Sequence, residues 1–375
     1  MDPYKLCDNH SREIHEDSEF SDNYNTDLLC ELIKTKELID VYPNEWDSIK
    51  RMNHQYEYIY TSSNPNRNIS NVIPVSRSYF KLIEIIKEYS IFKSGENYKI
   101  ACIAEAPGGF IQSILHTSKT MNYTKDISAI TLLSKDFKVP YWNPIVCNHK
   151  DIFLYEGKEK TGDIYQLHIV LDFIRQVGKG SCHLVTGDGG FDYSKDYNNQ
   201  ELSSFQLIYS EILIAINIQK KGGIFVCKLF DLFHTQTRQL LYILYLSYSE
   251  IYFHKPSVSR LSNSEKYIIC KGFKGYNKEI SNYLCHNFAT RDVKLSIPDN
   301  FIKDIDTYNE LYVMKQIQSI TMGIHIINNN LKHKSLYYEN QIKLAIKWCN
   351  KYNIPINNKL AAKVVHPINL YSRWN

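Results

Sequence analysis

The stretch Lys99-Ile100-Ala101-Cys102-Ile103-Ala104-Glu105-Ala106-Pro107-Gly108-Gly109-Phe110 decides the fold. A short apolar run is cut by Pro-Gly-Gly, and helical apolar spacing resumes over residues 110–116. A run this short, with no polar alternation, reads as a strand buried on both faces. Glycines at a strand-to-helix turn let the backbone pass close to a ligand and leave amides at a helix N-terminus, which suits a nucleoside-type cofactor. A Pro-Gly-Gly turn alone is more often just a turn; its place at the first strand–helix junction gives it weight. The spacing is not Gly-x-Gly-x-x-Gly, which argues against a dinucleotide-dependent oxidoreductase.

Working outward, helical spacing covers residues 80–89, 164–176, 203–219 and 235–246. Further strands are expected at 127–133, 145–147, 183–186, 223–230, 250–254 and 266–270. This alternation predicts an α/β fold with a mostly parallel, seven-stranded sheet and helices on both faces. Its ligand should lie beyond the carboxyl ends of the strands, where the strand order reverses. The alternation runs over 71–275. Residues 1–70 read as a helical and irregular N-terminal extension, with helical patches at 27–41 and 46–60. Residues 276–375 read as a helical C-terminal extension, with helices at 310–327 and 338–352.

Of the 375 residues, 43% are hydrophobic, enough for one large core with additions. A formal charge of +4 is compatible with a nucleic-acid face and equally with an ordinary solvated surface. The 29 tyrosines accompany abundant Ile, Asn and Lys, all with AT-rich codons, so they carry little weight as base-stacking residues. The nine cysteines include no Cys-x-x-Cys pair, and no metal site is expected. Cys102, Cys182, Cys227 and Cys270 lie in or beside apolar runs and read as small core residues in a reducing compartment. No signal peptide and no membrane-length apolar run is visible, so a soluble, intracellular protein without a membrane partner is expected.

Four charges do not look like surface. Lys228 sits inside Ile224-Phe225-Val226-Cys227-Lys228-Leu229-Phe230, where an amine is costly unless it is paired or at a strand end. Asp188 lies in Gly187-Asp188-Gly189-Gly190 at the end of a strand, though Asp-Gly turns are common. Glu265 directly precedes the last strand, and Lys81 lies on the helix over 80–89; each alone reads as ordinary solvated charge. Three of the four fall at strand boundaries of one sheet, where its ligand crevice is expected, and two amines there would balance two carboxylates.

These residues stand in ordered blocks that resemble the FtsJ/RrmJ-type RNA ribose 2′-O-methyltransferases, closest to the eukaryotic and viral branch that methylates the mRNA cap. The blocks are Ser76-Arg77-Ser78-Tyr79-Phe80-Lys81-Leu82, Ala106-Pro107-Gly108-Gly109-Phe110 and Gly187-Asp188-Gly189-Gly190-Phe191, then the run Gly222-Gly223 to Leu232-Phe233. Lys255-Pro256-Ser257 with Ser259-Arg260 and Asn263-Ser264-Glu265-Lys266-Tyr267 complete them. The resemblance implies a Rossmann-like fold that binds S-adenosylmethionine. It also implies a catalytic tetrad of Lys81, Asp188, Lys228 and Glu265. Lys228 would be the general base and the carboxylates would orient the amines; a positioned base is worth roughly 10²–10⁴-fold in rate. Ala106, Pro107, Gly108, Gly109, Phe110, Asp163 and Asp188 are the implied cofactor contacts. Cys102 stands where the family usually ends its first strand with an acidic residue, and Glu105 lies inside the loop instead.

Arg77, Lys255 and Arg260 are the candidate phosphate contacts, with Ser257 and Asn263 beside them on the RNA side. The implied partners are RNA, foremost 5′-capped mRNA, and other capping or transcription proteins. The codon bias and the resemblance together point to a large DNA virus or a protist, with a cytoplasmic or virion location in the viral case. The competing readings are methylation of internal rRNA or tRNA positions, and a non-catalytic RNA-binding scaffold that kept the fold.

Overall fold

The structure, a computed structural model, describes residues 1–13, 26–191, 197–329 and 334–365. The chain opens with β1 (Tyr4–Lys5), α1 (Thr26–Asp40), α2 (Pro43–Met52) and α3 (Ser78–Glu88). An alternating series follows: β2 (Asn97–Ile103), α4 (Gly109–Met121), β3 (Thr124–Ile130), α5 (Pro144–Cys147), β4 (Ile152–Tyr155), α6 (Leu167–Val177) and β5 (Cys182–Gly187). It continues through α7 (Gln200–Ile218), β6 (Gln219–Leu229), α8 (Thr235–Ser247), β7 (Tyr248–His254) and β8 (Lys266–Phe273). Four helices close the described chain: α9 (Lys278–His286), α10 (Asp299–Asn328), α11 (Lys334–Lys351) and α12 (Asn358–Val365).

One sheet has the order β1-β7-β8-β6-β5-β2-β3-β4. From β4 to β6 it is parallel; β8 is antiparallel to β6, β7 to β8, and β1 to β7. The chain winds outward from β2 to β4, then crosses back to β5, so the strand order reverses between β2 and β5. Alternation along β2 feeds two cores. Ala101 and Ile103 pack with residues of α6, α7 and α8, such as Phe173, Ile212 and Leu241. Ile100 and Cys102 pack with residues of α3 and α4, such as Ile85 and Ile114. Burial on both faces is why these strands carry unbroken apolar runs, each full side chain contributing about 1.5–3 kcal/mol.

Among the described residues the sheet has eight strands where seven are expected, because Tyr4–Lys5 adds a two-residue edge strand against Phe253 and Tyr252. The strand expected at 145–147 is instead the one-turn helix α5. Asn143 caps it by accepting the Ile145 amide at 3.0 Å, and Pro144 takes the first helical position. The strand in that part of the sheet is β4, at its edge. The helical patch expected over 46–60 ends at Met52, and a 3₁₀ turn follows at Glu57–Ile59.

The two extensions meet each other and the sheet domain. Leu28 and Leu32 of α1 pack with Val313 and Ile317 of α10 and with Phe233. The face of α3 turned from the sheet, with Tyr79, Phe80 and Ile83, packs against Ile342, Ala345, Trp348 and Cys349 of α11. Trp348 Nε1 donates to Glu84 of α3 at 2.7 Å, and both side chains are buried. Among the described residues no helix is long and apolar enough to cross a membrane.

Candidate active site

Strand register builds the site. Ile103, Gly187 and Cys227 align across β2, β5 and β6, and Cys227 pairs with Ile268 of β8. One step beyond this row, at the carboxyl ends of the parallel strands, stand Ala104, Asp188 and Lys228. Glu265 precedes β8, which runs the other way, so it reaches the same edge. Lys81 arrives from α3.

The four charges form two pairs. Lys81 Nζ lies 2.7 Å from one Glu265 carboxylate oxygen and 2.8 Å from the other. Lys228 Nζ lies 3.4 Å from Asp188 Oδ1 and donates to the Asp188 carbonyl at 2.8 Å. Tyr267 joins the pairs. It faces Lys228 across the ladder, donates its hydroxyl to Asp188 Oδ1 at 2.8 Å, and carries Lys81 Nζ 6.0 Å from its ring centre. Burial acts to raise the Glu265 carboxyl pKa, but Lys81, Lys228 and Lys255 outweigh it and pull it down to about 2. All four side chains keep between 12% and 16% of their surface exposed, so the pairs reach the surface.

Two further carboxylates lie beneath. Glu211, on α7, accepts the Gly189 amide at 3.2 Å and the Cys227 thiol at 3.2 Å. The turn around Asp188 wraps it closely: a Cβ on Gly189 would fall 2.8 Å from Glu211 Oε1 and 2.5 Å from Leu207. Burial lifts the Glu211 carboxyl to about 7, against the Cys227 thiol, Lys228 and the Gly189 amide. Glu105 is 3% exposed; its Oε1 accepts the Phe110 amide at 2.6 Å, while Oε2 is buried without a partner. Burial, reinforced by Asp188, holds its pKa well above the usual carboxylate range.

The glycine loop turns sharply. Gly108 has φ +110°, a left-handed conformation, and starts α4. Gly108, Gly109 and Phe110 are buried, and Phe110 belongs to the core between sheet and α4. Only Ala106 and Pro107 of the expected contacts in that loop stay partly exposed, with Ala104 beside them. Asp163, after β4, is also partly exposed and accepts the Tyr165 amide at 2.9 Å.

The five residues expected on the RNA side are drawn into contacts within the protein. Arg260 grips Glu57 from two nitrogens, at 2.9 and 3.2 Å, and Arg77 reaches the same carboxylate at 3.4 Å. The two guanidinium side chains remain 25% and 24% exposed. Lys255 is 2% exposed and donates to the Asn263 carbonyl at 2.7 Å, to the Asn263 side chain and to the Glu265 carbonyl. That makes it an interior brace for the segment carrying Glu265, in place of the expected surface amine; burial pushes its pKa down to about 7. Ser257 donates its amide and hydroxyl to Glu84 at 2.9 and 3.1 Å. Sequence reasoning missed Glu57, Glu211 and the bridging role of Tyr267, and noted Glu105 only as an acidic residue inside the loop. Glu211 alone left a signal: a carboxylate among the apolar residues 207–216 of a helix.

Residues 74–273 match the FtsJ-like methyltransferase family, more than half of the chain. The chain belongs to the FtsJ-like methyltransferase family. A human protein, cap-specific mRNA (nucleoside-2′-O-)-methyltransferase 1, is 27% identical over 354 residues, 89% of this chain and 40% of its own length. The protein of the same name from Ailuropoda melanoleuca is 26% identical over 356 residues, with the same coverage of 89% and 40%. The chain therefore spans about 40% of the length of these curated relatives. A solved ribosomal RNA methyltransferase from Plasmodium falciparum is 24% identical, covers 54% of this chain and 99% of its own, and superposes with a TM-score of 0.39. FtsJ-like methyltransferases use S-adenosylmethionine, and the donor chemistry here fits it. The partly exposed carboxylates of Asp163 and Asp188 suit a cationic nucleoside, and the partly exposed Ala104, Ala106 and Pro107 of the loop are small.

Proposed function

We propose that this chain transfers a methyl group to a ribose 2′-hydroxyl of RNA, with Lys228 as the base. The observation that carries the reading is the meeting of the Lys81–Glu265 and Lys228–Asp188 pairs through Tyr267 beyond the strand ends. S-adenosylmethionine, when bound, supplies an electrophilic methyl group. Ala106, Pro107, Asp163 and Asp188 are the residues proposed to hold it. Lys228, having first released a proton to solvent, takes the hydroxyl proton on its free lone pair as the oxygen becomes nucleophilic, and Asp188 and Tyr267 orient it. Lys81, held by both oxygens of Glu265, keeps a fixed positive charge near the developing oxyanion. Much of the rate then comes from alignment of hydroxyl and amine.

The substrate we infer is the first transcribed nucleotide of capped mRNA, the step from cap 0 to cap 1. The names of the curated relatives support it, as does the Gly-Asp-Gly-Gly-Phe block. Arg77 and Arg260 are proposed to meet phosphate on their exposed quarter while Glu57 holds them from beneath. Phe137 and Tyr141, 91% and 64% exposed on the segment after β3, are proposed as stacking platforms at the same sheet edge. Other capping or transcription proteins are the inferred partners.

The test is methyl transfer from labelled S-adenosylmethionine to short RNAs, with and without an N7-methylguanosine cap, using Lys228→Ala as control. Cap-dependent transfer to the first ribose, lost in the variant with cofactor binding retained, is expected. Transfer regardless of the cap moves the substrate to internal RNA, and full activity of Lys228→Ala removes its role as base.

A further inference from the structure

Outside the candidate active site, a second cluster joins two segments distant in sequence. Cys7 and His10 follow β1, and Asp304 lies on α10, 294 residues beyond His10. One potential ligand atom from each of the three lies within 4.8 Å of the others. His10 Nε2 is 3.0 Å from Asp304 Oδ2, and both side chains are buried. A tetrahedral zinc ion with bonds of about 2.0–2.1 Å to nitrogen and oxygen sets its ligands about 3.3 Å apart, so this pair already has nearly the needed spacing. Cys7 is exposed, so its thiol has room to swing inward.

The packing of the imidazole fixes which nitrogen faces the cluster. Among the described residues His10 Nδ1 is buried with no hydrogen-bond partner, in a ring packed edge-on against Tyr245 and Phe301. With Nδ1 turned to those rings, Nε2 is the nitrogen that faces Asp304 and can meet an ion. The surroundings also suit a metal carboxylate. Tyr4 donates its hydroxyl to Asp304 Oδ1, and the Cys7 amide donates to Oδ2 at 2.8 Å, so outer hydrogen bonds orient the ligand.

We propose that Cys7, His10 and Asp304 hold a zinc-type divalent cation that staples the N-terminal strand to α10. A thiolate, an imidazole and a carboxylate form a mixed sulfur, nitrogen and oxygen set that zinc accepts, with water completing the shell on the exposed Cys7 side. Binding releases the thiol proton to solvent, and the thiolate and carboxylate charges neutralise the ion. The spacing is Cys-x-x-His, with the third ligand far away in sequence, which is why no Cys-x-x-Cys pair announces it. The site does not depend on the methyltransferase reading.

The probe is cobalt(II) added to the full chain after chelator treatment. Equimolar binding is expected, with a thiolate-to-cobalt charge-transfer band and the visible bands of a tetrahedral ion, displaced by zinc. Cys7→Ser removes the charge-transfer band and His10→Ala abolishes tight binding, while Cys30→Ser, at another exposed cysteine, leaves both unchanged. Circular dichroism on the exposed-site variant Cys7→Ser keeps a loss of fold distinct from a loss of ligand. No charge-transfer band in the folded wild type, or a band that persists in Cys7→Ser, overturns the proposal; hydrogen bonds alone would then account for the cluster.

Discussion

Glu211→Gln separates the shape of the Asp188 turn from its charge. Burial lifts the Glu211 carboxyl from an ordinary 4.5 to about 7, opposed by the Cys227 thiol, Lys228 and the Gly189 amide. At ~1.4 kcal/mol per pH unit, that difference makes ionised Glu211 cost the fold about 3 kcal/mol. The folded pKa lies above the unfolded one. Its stabilising contribution is therefore complete below pH 4.5 and lost as pH rises through about 7. Glutamine keeps the size, its oxygen still accepts the Gly189 amide, and it does not ionise. Urea unfolding of both proteins across pH should show their stability difference swinging by about 3 kcal/mol toward the variant between about pH 4.5 and about pH 8. Glu201, whose carboxyl burial also lifts to about 8, is present in both proteins and cancels. Glu211→Gln should retain methyl transfer, whereas Glu211→Ala, which empties the space under Gly189, should lose it. Parallel stability curves would refute the reasoning, because the carboxyl would then not be shifted by its burial.

Glu265→Ala leaves Lys81 and Lys255 facing each other without their counter-charge and should destabilise the fold by roughly 3 kcal/mol. Because Glu265 is held down to about 2, its contribution is present above its ordinary 4.5 and lost as pH falls through about 2; the gap to the variant in urea unfolding should therefore narrow as pH falls from about 4.5 toward 2. Trp348→Phe removes the buried hydrogen bond to Glu84 and should cost about 2 kcal/mol by the same assay, with S-adenosylmethionine affinity unchanged. Phe137→Ala, at a side chain 91% exposed, should leave stability unchanged and weaken RNA binding roughly tenfold in a filter or anisotropy titration.

The strands that pack on both faces were legible because burial on two sides leaves an unbroken apolar run. The edge strand β4 was not, since only its last residue, Tyr155, is fully buried, and the Asn143-Pro144 helix start beside it drew the strand to the wrong place. That Lys81, Asp188, Lys228 and Glu265 meet was legible for the complementary reason: charges interrupt or adjoin apolar runs at strand ends, where solvation cannot explain them all. What completes the site comes from partners distant in sequence. Tyr267 and Glu211 acquire their roles only once β5, β6 and β8 lie side by side, and Glu57 once the N-terminal extension folds back. Lys255 shows the opposite failure: in a loop it looks like a surface amine, and the packing of residues 255–265 turns it inward.

Helix α3 has no face that belongs wholly to water. Leu82, Ile85 and Ile86 are claimed by the sheet, while Tyr79, Phe80 and Ile83 are claimed by α11 and its neighbours. Lys81 is carried between these two claims, and one helical turn later Glu84 is moored to Trp348. The smallest fragment able to aim Lys81 is therefore larger than the stretch 74–273 that defines the family. A fragment cut at those bounds would bare an oily flank on the very helix that delivers the amine. Anyone trimming this chain for crystals or fusions should expect the cost at the far carboxyl-terminal helix to be read out at the Lys81–Glu265 pair.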